Sequence, residues 1–396
     1  MLQGHYQGMN ILIDGRTFTA FSAGISTFLK DSVMAWANLH PSDTFHIALP
    51  RPLHKTFARD GLPDNVVLKE YSNGLFHHLP NLVWLLVMMP LLARRLKADI
   101  YYSPVPCLPF LLPRSMKRII VVHDVVNIEF QNTMQWTNVL ANKLFFNRSI
   151  QKADIIWTNS LYTQNKVKHY FPRRQCQDIF TGASIDRTIY RPIALTESER
   201  AAVLQQYGIT HPFILFVGSL EPRKNLSFLL SLMPELSKRS NFQLVVIGGR
   251  GWKNSKMRDI VEAEGFPRER VVFCGFVPNS DLVKLYNLAR CFVSASLNEG
   301  FGMPQLEALL CECPIVTAHN SAMIEVASGK DGAFTVEGYD PQIWIDTIIR
   351  IANERPTVNT SQLAAYDWDI ILKNFLENNL PAHPAFKRTA TLDLNT

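Results

Sequence analysis

The chain has 396 residues, of which 47% are hydrophobic and 19% are charged, so it is expected to fold and is not of the intrinsically disordered class. This length exceeds what one hydrophobic core usually serves, which predicts two domains. The net charge is +6 without a long basic tract, which disfavours a nucleic-acid partner but suits an anionic ligand or an anionic membrane surface. The six scattered cysteines and the lack of a signal-peptide pattern before residue 10 predict a reducing, cytoplasmic setting.

The first half of the chain alternates short apolar runs with helix-like segments. Strands are predicted at 10–14, 45–49, 66–68, 98–103, 118–122 and 153–158, and helices at 27–39 and 161–170. The run 118–122 is almost wholly apolar, as in a parallel sheet covered on both faces. This order predicts a doubly wound, Rossmann-like α/β domain. An irregular stretch from Thr181 to Pro192 then sets the predicted domain boundary near residue 192.

The second half repeats the alternation without a residue-level repeat. Strands are predicted at 213–217, 242–247, 271–273, 291–294, 314–317 and 333–336. These strands predict a second parallel-sheet domain over 193–369. A final helix from about Ile370 to Asn378 is expected to return to the N-terminal domain, so that 1–192 and 370–396 belong together.

One apolar stretch, Leu82–Leu92, is followed at once by Arg94, Arg95 and Lys97. At about eleven residues it is too short to span a bilayer. A buried domain helix is the favoured interpretation. The alternative is a monotopic contact, in which apolar residues enter the membrane and the basic residues of 82–97 meet the headgroups.

The stretch Asn298–Glu307 joins a predicted strand to a predicted helix. Gly300 and Gly302 allow backbone amides to approach a ligand closely, and Pro304 suits a first helical turn. Glu299 and Glu307 bracket this loop, and carboxylates accept strong hydrogen bonds from the hydroxyls of a ligand. The alternative is that Glu299 is an ordinary loop acid and that Glu307 only favours the helix start.

Polar and glycine residues follow other predicted strands as well. Arg223 and Lys224 come shortly after Gly218 and Ser219, and adjacent cations before a helix suit a diphosphate, although a solvated pair is the common alternative. His123 could be a core histidine or could bond a ligand hydroxyl. Because ligands bind off the carboxyl ends of parallel strands, these groups are expected to meet in a cleft that both domains face.

Further candidates lie on the N-terminal side. Asp124 could orient His123 or act in acid–base chemistry. Ser160 ends the predicted strand 153–158, and Gly24 lies in the loop before the first helix. No cysteine and histidine cluster has metal-ligand spacing, and no nucleotide-binding Walker sequence is present.

Taken together, these motifs resemble a retaining glycosyltransferase of family 4, which has the two-domain GT-B fold. The resemblance runs from Asn10 to about Phe375 and is strongest from Gly218 to Val336. The family's two glutamates match Glu299 and Glu307. The family motif that begins with glycine and ends in lysine and asparagine matches 218–225. The family loop that holds the nucleotide base matches 274–277. His123, Asp124 and 153–160 match the acceptor domain, whereas Ile324 replaces a family proline and Ala23 replaces the first of two adjacent glycines.

The resemblance implies a role for each candidate. Arg223 and Lys224 would stabilise the departing diphosphate without a metal ion or cofactor. Glu299 and the amides of Gly300, Phe301 and Gly302 would hold the sugar, and Glu307 the ribose. The remaining donor contacts would come from Gly24, Gly218, Ser219, Gly275, Phe276 and Val277. His123 would contact the sugar from the N-terminal domain, and Asp124 and Ser160 would lie on the acceptor side.

The amino-acid sequence of 218–225 and the pair His123–Asp124 are similar to those of bacterial mannosyltransferases that build lipopolysaccharide O-antigen or exopolysaccharide. The predicted reaction is therefore transfer of mannose from GDP-mannose to a lipid-linked or oligosaccharide acceptor, by a cytoplasmic protein that is peripheral on the inner membrane face. A UDP-hexose donor, a GT-B nucleotide-sugar epimerase and a non-catalytic nucleotide-sugar-binding module are the alternatives. The sequence does not predict an oligomeric state.

Overall fold

The computed structural model describes residues 8–19, 23–54, 57, 59, 61–71, 80–129, 143–172, 179–249 and 255–380. The chain divides into two compact units. Unit 1 comprises Met1–Ser184 together with Tyr366–Thr396, and unit 2 comprises Ile185–Ala365. Unit 2 is thus a contiguous segment placed between the two parts of unit 1.

Unit 1 is built on a parallel sheet of seven strands in the order β3-β2-β1-β4-β5-β6-β7. The strands are β1 Asn10–Asp14, β2 Thr44–Leu49, β3 Val66–Glu70, β4 Ile100–Ser103, β5 Lys117–Val122, β6 Ile155–Thr158 and β7 Ile179–Thr181. The first six were predicted from their apolar runs. The short β7 was missed, because the sequence was read as irregular from Thr181, which in fact pairs with Thr158.

Helices alternate with the strands of unit 1, and β4 and β6 are buried at every residue, as expected for a parallel sheet covered on both faces. The helices are α1 Ala23–Leu39, α2 at 81–95, α3 Val126–Glu129, α4 at 143–152 and α5 Leu161–Tyr170. The start of α1 corrects the prediction of Thr27, so Gly24 lies in the first turn of the helix and not in a loop. The prediction relied on the apolar periodicity of the helix, which begins only at Thr27.

The predicted apolar stretch at 82–92 forms the middle of α2, which has a π-helical turn at Trp84–Met88. Trp84, Leu85 and Met89 are fully buried, as expected for a domain helix. Leu82, Val83, Val87 and Leu91 are nevertheless exposed on the same helix. Among the described residues, no helix combines the length and apolar character that crossing a membrane requires.

Unit 2 is built on a parallel sheet of six strands in the order β10-β9-β8-β11-β12-β13. The strands are β8 Phe213–Val217, β9 Gln243–Ile247, β10 Val271–Gly275, β11 Cys291–Ser294, β12 Ile315–Ala318 and β13 Ala333–Val336. All six were predicted, within a few residues at their ends. The chain leaves β8 for β9 on one side and reaches β11 on the other, so the strand order reverses between β8 and β11.

The helices of unit 2 alternate with these strands. They are α6 Glu197–Gln206, α7 Leu226–Arg239, α8 Ser255–Glu262, α9 Asn279–Leu288, α10 Met303–Leu310, α11 Met323–Ala327 and α12 Pro341–Glu354. A buried apolar cluster from β8, β9, β11, α7 and α12 forms the core, with Trp344 fully buried at its centre. Two doubly wound parallel sheets therefore confirm the predicted fold class.

The last described helix, α13 Trp368–Asn379, belongs to unit 1. It packs along α1, where the rings of Trp36 and Phe375 lie 5.7 Å apart. Phe375 also stacks on Trp157 of β6 at 4.4 Å. These buried aromatic contacts hold the final segment against the sheet that the first half of the chain builds.

Candidate functional site

Three neighbouring strands of unit 2 end in glycines. Gly218, Gly248 and Gly275 close β8, β9 and β10, and Gly248 donates its amide to the Gly275 carbonyl at 2.9 Å. A Cβ added at Gly248 would lie 1.8 Å from the carbonyl oxygen of Gly218, so no side chain fits there. The backbone of the strand ends is therefore packed closely, which leaves its polar groups near the sheet edge.

A charged cluster occupies the point where the strand order reverses. Lys224 Nζ lies 2.5 Å from Glu299 Oε1, and Arg223 Nη1 donates to Glu299 Oε2 at 2.9 Å. Arg223 and Lys224 form a short 3₁₀ turn after β8, whereas Glu299 follows β11. Residues 75 positions apart along the chain thus meet beside adjacent strands. This is the position at which open α/β sheets bind ligands.

Arg223, Lys224 and the buried Glu299 sum to about one positive unit, and the exposed Glu221, whose Oε2 lies 3.6 Å from Arg223 Nη2, offsets this charge from the solvent side. Burial disfavours the charge on Glu299, but the neighbouring Lys224 and Arg223 and the hydrogen bonds to it outweigh burial and lower the pKa of Glu299. Glu299 is therefore ionised at neutral pH. Lys224 has 13% of its side chain exposed and Arg223 has 27%, so both cations can still be approached from solvent.

A polar network fixes the loop that carries Glu299. Ser296 Oγ donates to Glu299 Oε1 at 2.8 Å, and the amide of Glu299 donates to Ser321 Oγ at 3.0 Å. Ser321 Oγ donates in turn to Asn320 Oδ1, whose amide nitrogen reaches the Ser296 carbonyl and the hydroxyl of Tyr339. The network therefore ties β11 to the segments after β12 and β13.

Ser321 adopts φ +49°, a left-handed conformation that is uncommon for a serine. Such local strain is found at sites where the surrounding structure has to hold a loop in place. Sequence reasoning missed Ser296, Asn320 and Ser321. Asn320 and Ser321 come shortly after the strand 315–318. They could have been predicted as site residues, because polar residues that follow parallel strands lie at the ligand-binding edge of the sheet.

The glycine-rich loop after β11 leads into α10. Gly302 has φ +97° and ψ +50° and precedes the helix, so only glycine fits comfortably at this turn. Phe301 is buried, and Gly300 lies between it and Glu299. The two predicted acids are thus placed differently, Glu299 in the loop and Glu307 on the helix.

Glu307 has a partner that the sequence did not indicate. The hydroxyl of Tyr286, on α9, donates to Glu307 Oε2 at 2.8 Å. Burial, and then the neighbouring carboxylate, raise the pKa of Tyr286 well above its usual value, so the phenol stays protonated and can donate. A buried tyrosine therefore orients Glu307, and no sequence spacing marks the pair.

The predicted base-holding loop follows β10. Gly275 has φ +66°, Phe276 is 62% exposed and Val277 is buried. Ser219, after β8, is half-buried. An aromatic ring that stays exposed between a left-handed glycine and a buried valine offers a flat face to a ligand.

In unit 1, His123 follows β5 and its Nε2 lies 3.0 Å from the carbonyl oxygen of Pro104. Since a carbonyl only accepts, Nε2 carries the proton. Burial lowers the pKa of His123 to about 4, which the Pro104 contact only partly opposes, so the ring is neutral at pH 7. Phe28 meets the imidazole edge-on at 5.1 Å.

The other predicted residues of unit 1 have distinct surroundings. Asp124 is half-buried between β5 and α3. Ser160 is buried and caps α5, because its hydroxyl accepts the Thr163 amide at 3.0 Å. Gly24 is exposed in the first turn of α1, and an added Cβ would meet nothing within 4 Å. Close backbone packing therefore does not explain the glycine at position 24.

Unit 2 contains a segment that matches a known protein family. Residues 201–367 match the family model of the glycosyl transferases group 1. The chain is 30% identical over 238 residues to O-antigen chain mannosyltransferase B of Escherichia coli, which covers 59% of the chain and 60% of that relative. A serotype-specific mannosyltransferase, WbdA of Escherichia coli, is 27% identical over 234 residues, or 55% of the chain.

The chain spans 60% of the first of these relatives and 27% of the second.

Solved structures match nearly the whole length of the chain at low sequence identity. Sucrose-phosphate synthase from Thermosynechococcus elongatus has a TM-score of 0.67 at 13% identity, covering 97% of this chain and 99% of that one. WaaG, a glycosyltransferase involved in lipopolysaccharide biosynthesis, has a TM-score of 0.62 at 14% identity, covering 98% and 100%. Residues 201–367, which lie within unit 2, therefore match the group 1 glycosyltransferases, and the two parallel sheets together with the matching solved structures give the chain the GT-B fold.

Proposed function

We propose that the protein is a retaining glycosyltransferase that takes a hexose from a nucleotide-diphosphate sugar bound on unit 2. The observation that carries this proposal is the Arg223–Lys224–Glu299 cluster at the reversal of the strand order. Two partly accessible cations face one buried carboxylate, Glu299, and one exposed carboxylate, Glu221. Because an exposed ion pair is weak, a diphosphate can displace Glu221 and take up the remaining positive charge. The same carboxylate and the adjacent loop amides suit sugar hydroxyls.

The donor would extend along the carboxyl edge of the unit 2 sheet. Arg223 grips phosphate oxygens with its planar fork, and Lys224 adds a compact charge. Glu307, oriented by Tyr286, accepts from the ribose hydroxyls. The exposed ring of Phe276 covers one face of the base. In this proposal each part of the donor has its own contact on unit 2: the diphosphate, the ribose and the base.

In the proposed reaction, the acceptor oxygen forms a bond to the anomeric carbon as the bond from that carbon to the donor phosphate breaks. The acceptor proton passes to a phosphate oxygen of the leaving diphosphate. Arg223 and Lys224 stabilise the charge that develops on this diphosphate. His123, neutral at pH 7, holds a sugar hydroxyl, and Asp124 and Ser160 lie on the acceptor side. No protein nucleophile is required.

The proposed donor is GDP-mannose, and the proposed acceptor is a lipid-linked or oligosaccharide precursor of a bacterial surface polysaccharide. The names of the two Escherichia coli relatives support mannose. A UDP-hexose is the second candidate, because Anabaena HepE, solved in complex with UDP-glucose, matches the chain with a TM-score of 0.62 at 16% identity.

A peripheral contact with the inner membrane face is proposed for unit 1. Leu82, Val87 and Leu91 are exposed on α2, and Phe110 and Leu111 are exposed in the loop that follows β4. Arg94 Nη2 lies 3.5 Å from the Leu111 carbonyl, so a cation borders the apolar residues. Apolar side chains rimmed by cations suit an anionic lipid surface.

Sedimentation with vesicles of anionic phospholipid measures this contact. The double substitution Arg94→Glu and Arg95→Glu should release the protein from the vesicles, whereas the matched double substitution Arg268→Glu and Arg270→Glu on unit 2 should not. A parent protein that stays in the supernatant removes the membrane proposal and leaves the reaction untouched.

The reaction itself is tested by the thermal stability of the protein with GDP, UDP, ADP and TDP and their common sugars. A ligand that binds only the folded state raises the melting midpoint. Stabilisation by GDP and GDP-mannose supports the mannose donor, and stabilisation by UDP alone overturns it. A protein that responds to none of these nucleotides contradicts the donor site.

Product analysis separates the remaining functions. Transfer requires an acceptor, whereas an epimerase releases an altered sugar from the donor alone. A binding module shows the thermal shift without turnover on any acceptor. Release of a C2-epimerised sugar in the absence of acceptor would therefore replace the transferase proposal.

A further inference from the structure

The sheet of unit 1 has its own reversal of strand order, between β1 and β4. The roles proposed so far for unit 1 use the ends of β5 and β6 and leave this point unassigned. Asp14 ends β1, Arg16 follows it, and Cys107 follows β4. Because ligands bind in open α/β sheets where the order reverses, this edge is a candidate ligand site, as the cluster in unit 2 is.

A buried carboxylate holds one arginine here in a fixed orientation. Asp14 is 1% exposed, and Arg16 donates to it through Nε at 2.9 Å and through Nη2 at 2.7 Å. The Arg16 amide adds a third contact to Asp14 at 3.2 Å. The side chain of Arg16 nevertheless stays 17% exposed, and it also hydrogen-bonds the Cys107 side chain. The carboxylate thus anchors one edge of the guanidinium, whereas the thiol is only a weak acceptor that a ligand oxygen can replace.

Stability alone is a weak explanation for this pair, because burying two charges costs nearly as much as their attraction returns. The hydroxyl of Tyr101, in the same group, is also buried, and it has no hydrogen-bond partner among the described residues. A buried donor without a partner is costly. A bound polar group at this point would supply the acceptor that the phenol lacks.

The charges around Arg16 sum to about zero. Asp14 balances the guanidinium. Burial raises the pKa of the Cys107 thiol and of Tyr101, outweighing the nearby Arg16, so both stay neutral at pH 7. His123, after the next strand of the sheet, is neutral too. An anion would gain little at such a point, whereas a neutral, hydroxyl-rich ligand would meet directed donors and acceptors.

We propose that the Arg16–Asp14 pair forms a saccharide subsite on unit 1 that binds hydroxyl groups of the acceptor. This inference rests on the proposed transfer reaction, for which it names the group that positions the acceptor sugar. Arg16 donates from its outer edge to a sugar oxygen, and Asp14 fixes the direction of that donation. The ligand class is a neutral sugar and not a phosphate.

The test uses the full chain and titrates methyl α-mannoside, methyl α-glucoside, methyl α-galactoside and inorganic phosphate by saturation-transfer NMR at pH 7. Arg16→Gln should weaken binding of the sugar that the parent binds by at least about tenfold, as expected for losing a hydrogen bond from a charged group. Arg59→Gln is the matched control, since Arg59 pairs with Glu70 elsewhere on unit 1. It should leave sugar binding unchanged.

Arg16→Lys is a second variant that separates a loss of sugar binding from a loss of folding. It keeps the positive charge beside Asp14 and loses only the planar guanidinium. It should fold as the parent does and still bind the sugar more weakly. Sugar binding that is equal in the parent and in Arg16→Lys overturns the proposal, as does a parent that binds none of the three sugars. Binding of phosphate at this point, abolished by Arg16→Lys, would replace the sugar with an anion.

The nucleotide-dependent thermal shift is measured on the same samples. It should be unchanged in Arg16→Gln and Arg16→Lys, because the donor is placed on unit 2. A parent that binds the sugar through Arg16 but shows no nucleotide shift would contradict the proposed transfer reaction and leave the subsite standing. The two proposals therefore fail separately.

Discussion

Replacing Glu299 with glutamine is the most informative single change, because it keeps the shape of the side chain and removes its charge. In the parent, Glu299 Oε1 accepts from Lys224 and Ser296, and Oε2 accepts from Arg223. A glutamine must turn its NH₂ group towards one of these sides. A donor then faces a donor, and the two cations lose the buried carboxylate between them, which leaves Arg223 with only the exposed Glu221.

Breaking a buried ion pair on one side costs about 3–5 kcal/mol. The lower figure applies here, because Arg223 has 27% of its side chain exposed and can turn towards water. For a unit of the size of unit 2, about 3 kcal/mol corresponds to a fall in the melting midpoint of roughly 6–12 °C. The matched control is Glu235→Gln, which removes an exposed pair with Lys238 and should leave the midpoint nearly unchanged.

A nucleoside diphosphate should then stabilise Glu299→Gln more than it stabilises the parent, because its phosphates supply the negative charge that the two cations have lost. Differential scanning calorimetry with and without GDP or UDP measures both effects. A midpoint within about 2 °C of the parent would refute the argument that Glu299 neutralises a buried cluster. An equal nucleotide shift in the two proteins would refute the placement of the diphosphate on Arg223 and Lys224.

Three other substitutions test Lys224, His123 and Gly248. Lys224→Ala should lower the rate of sugar transfer more than about 100-fold, the loss expected for an electrostatic stabiliser, and near-normal turnover would exclude this role. His123 should contribute a loss of about 3 kcal/mol in folding stability as the pH falls from 6.5 to 4, because the unfolded chain takes up a proton that this half-buried imidazole, with its pKa of about 4, does not bind. Urea unfolding of His123→Gln should be less sensitive to pH over that range, and an unchanged dependence would contradict the assignment. Gly248→Ala should yield little soluble protein because its Cβ would lie 1.8 Å from the Gly218 carbonyl oxygen, whereas Gly249→Ala, with open space around it, should express and melt like the parent; equal expression of the two would contradict the close packing.

Much of the fold could be predicted because the strands of parallel sheets are apolar on both faces and end abruptly in glycine, serine or charged residues. The run Phe213–Val217 followed by Gly218 is typical, and it is a strand with those bounds in the structure. The same rule brought together Arg223, Lys224 and Glu299, which do meet. Patterns of this kind are local, so a single sequence is enough to find them.

The rest depends on contacts between distant segments. Ser321 supports Glu299 only because the turns after β11 and β12 lie side by side, and nothing in the residues around position 321 specifies that. Tyr286 reaches Glu307 from a helix whose register is set by packing. The Asp14–Arg16 pair consists of two residues that are common at the surface, and its burial becomes evident only once the neighbouring strand is in place.

The division of unit 1 into two parts has a consequence for synthesis on the ribosome. When residue 365 has emerged, all of unit 2 is present as one continuous segment, but α13 is still missing from unit 1. The aromatic surface around Trp36 and Trp157, which Phe375 later covers, stays open to water until α13 has emerged. A nascent chain stalled with residue 365 just outside the ribosome should therefore recruit chaperones through its N-terminal part, while the unit made later has already folded.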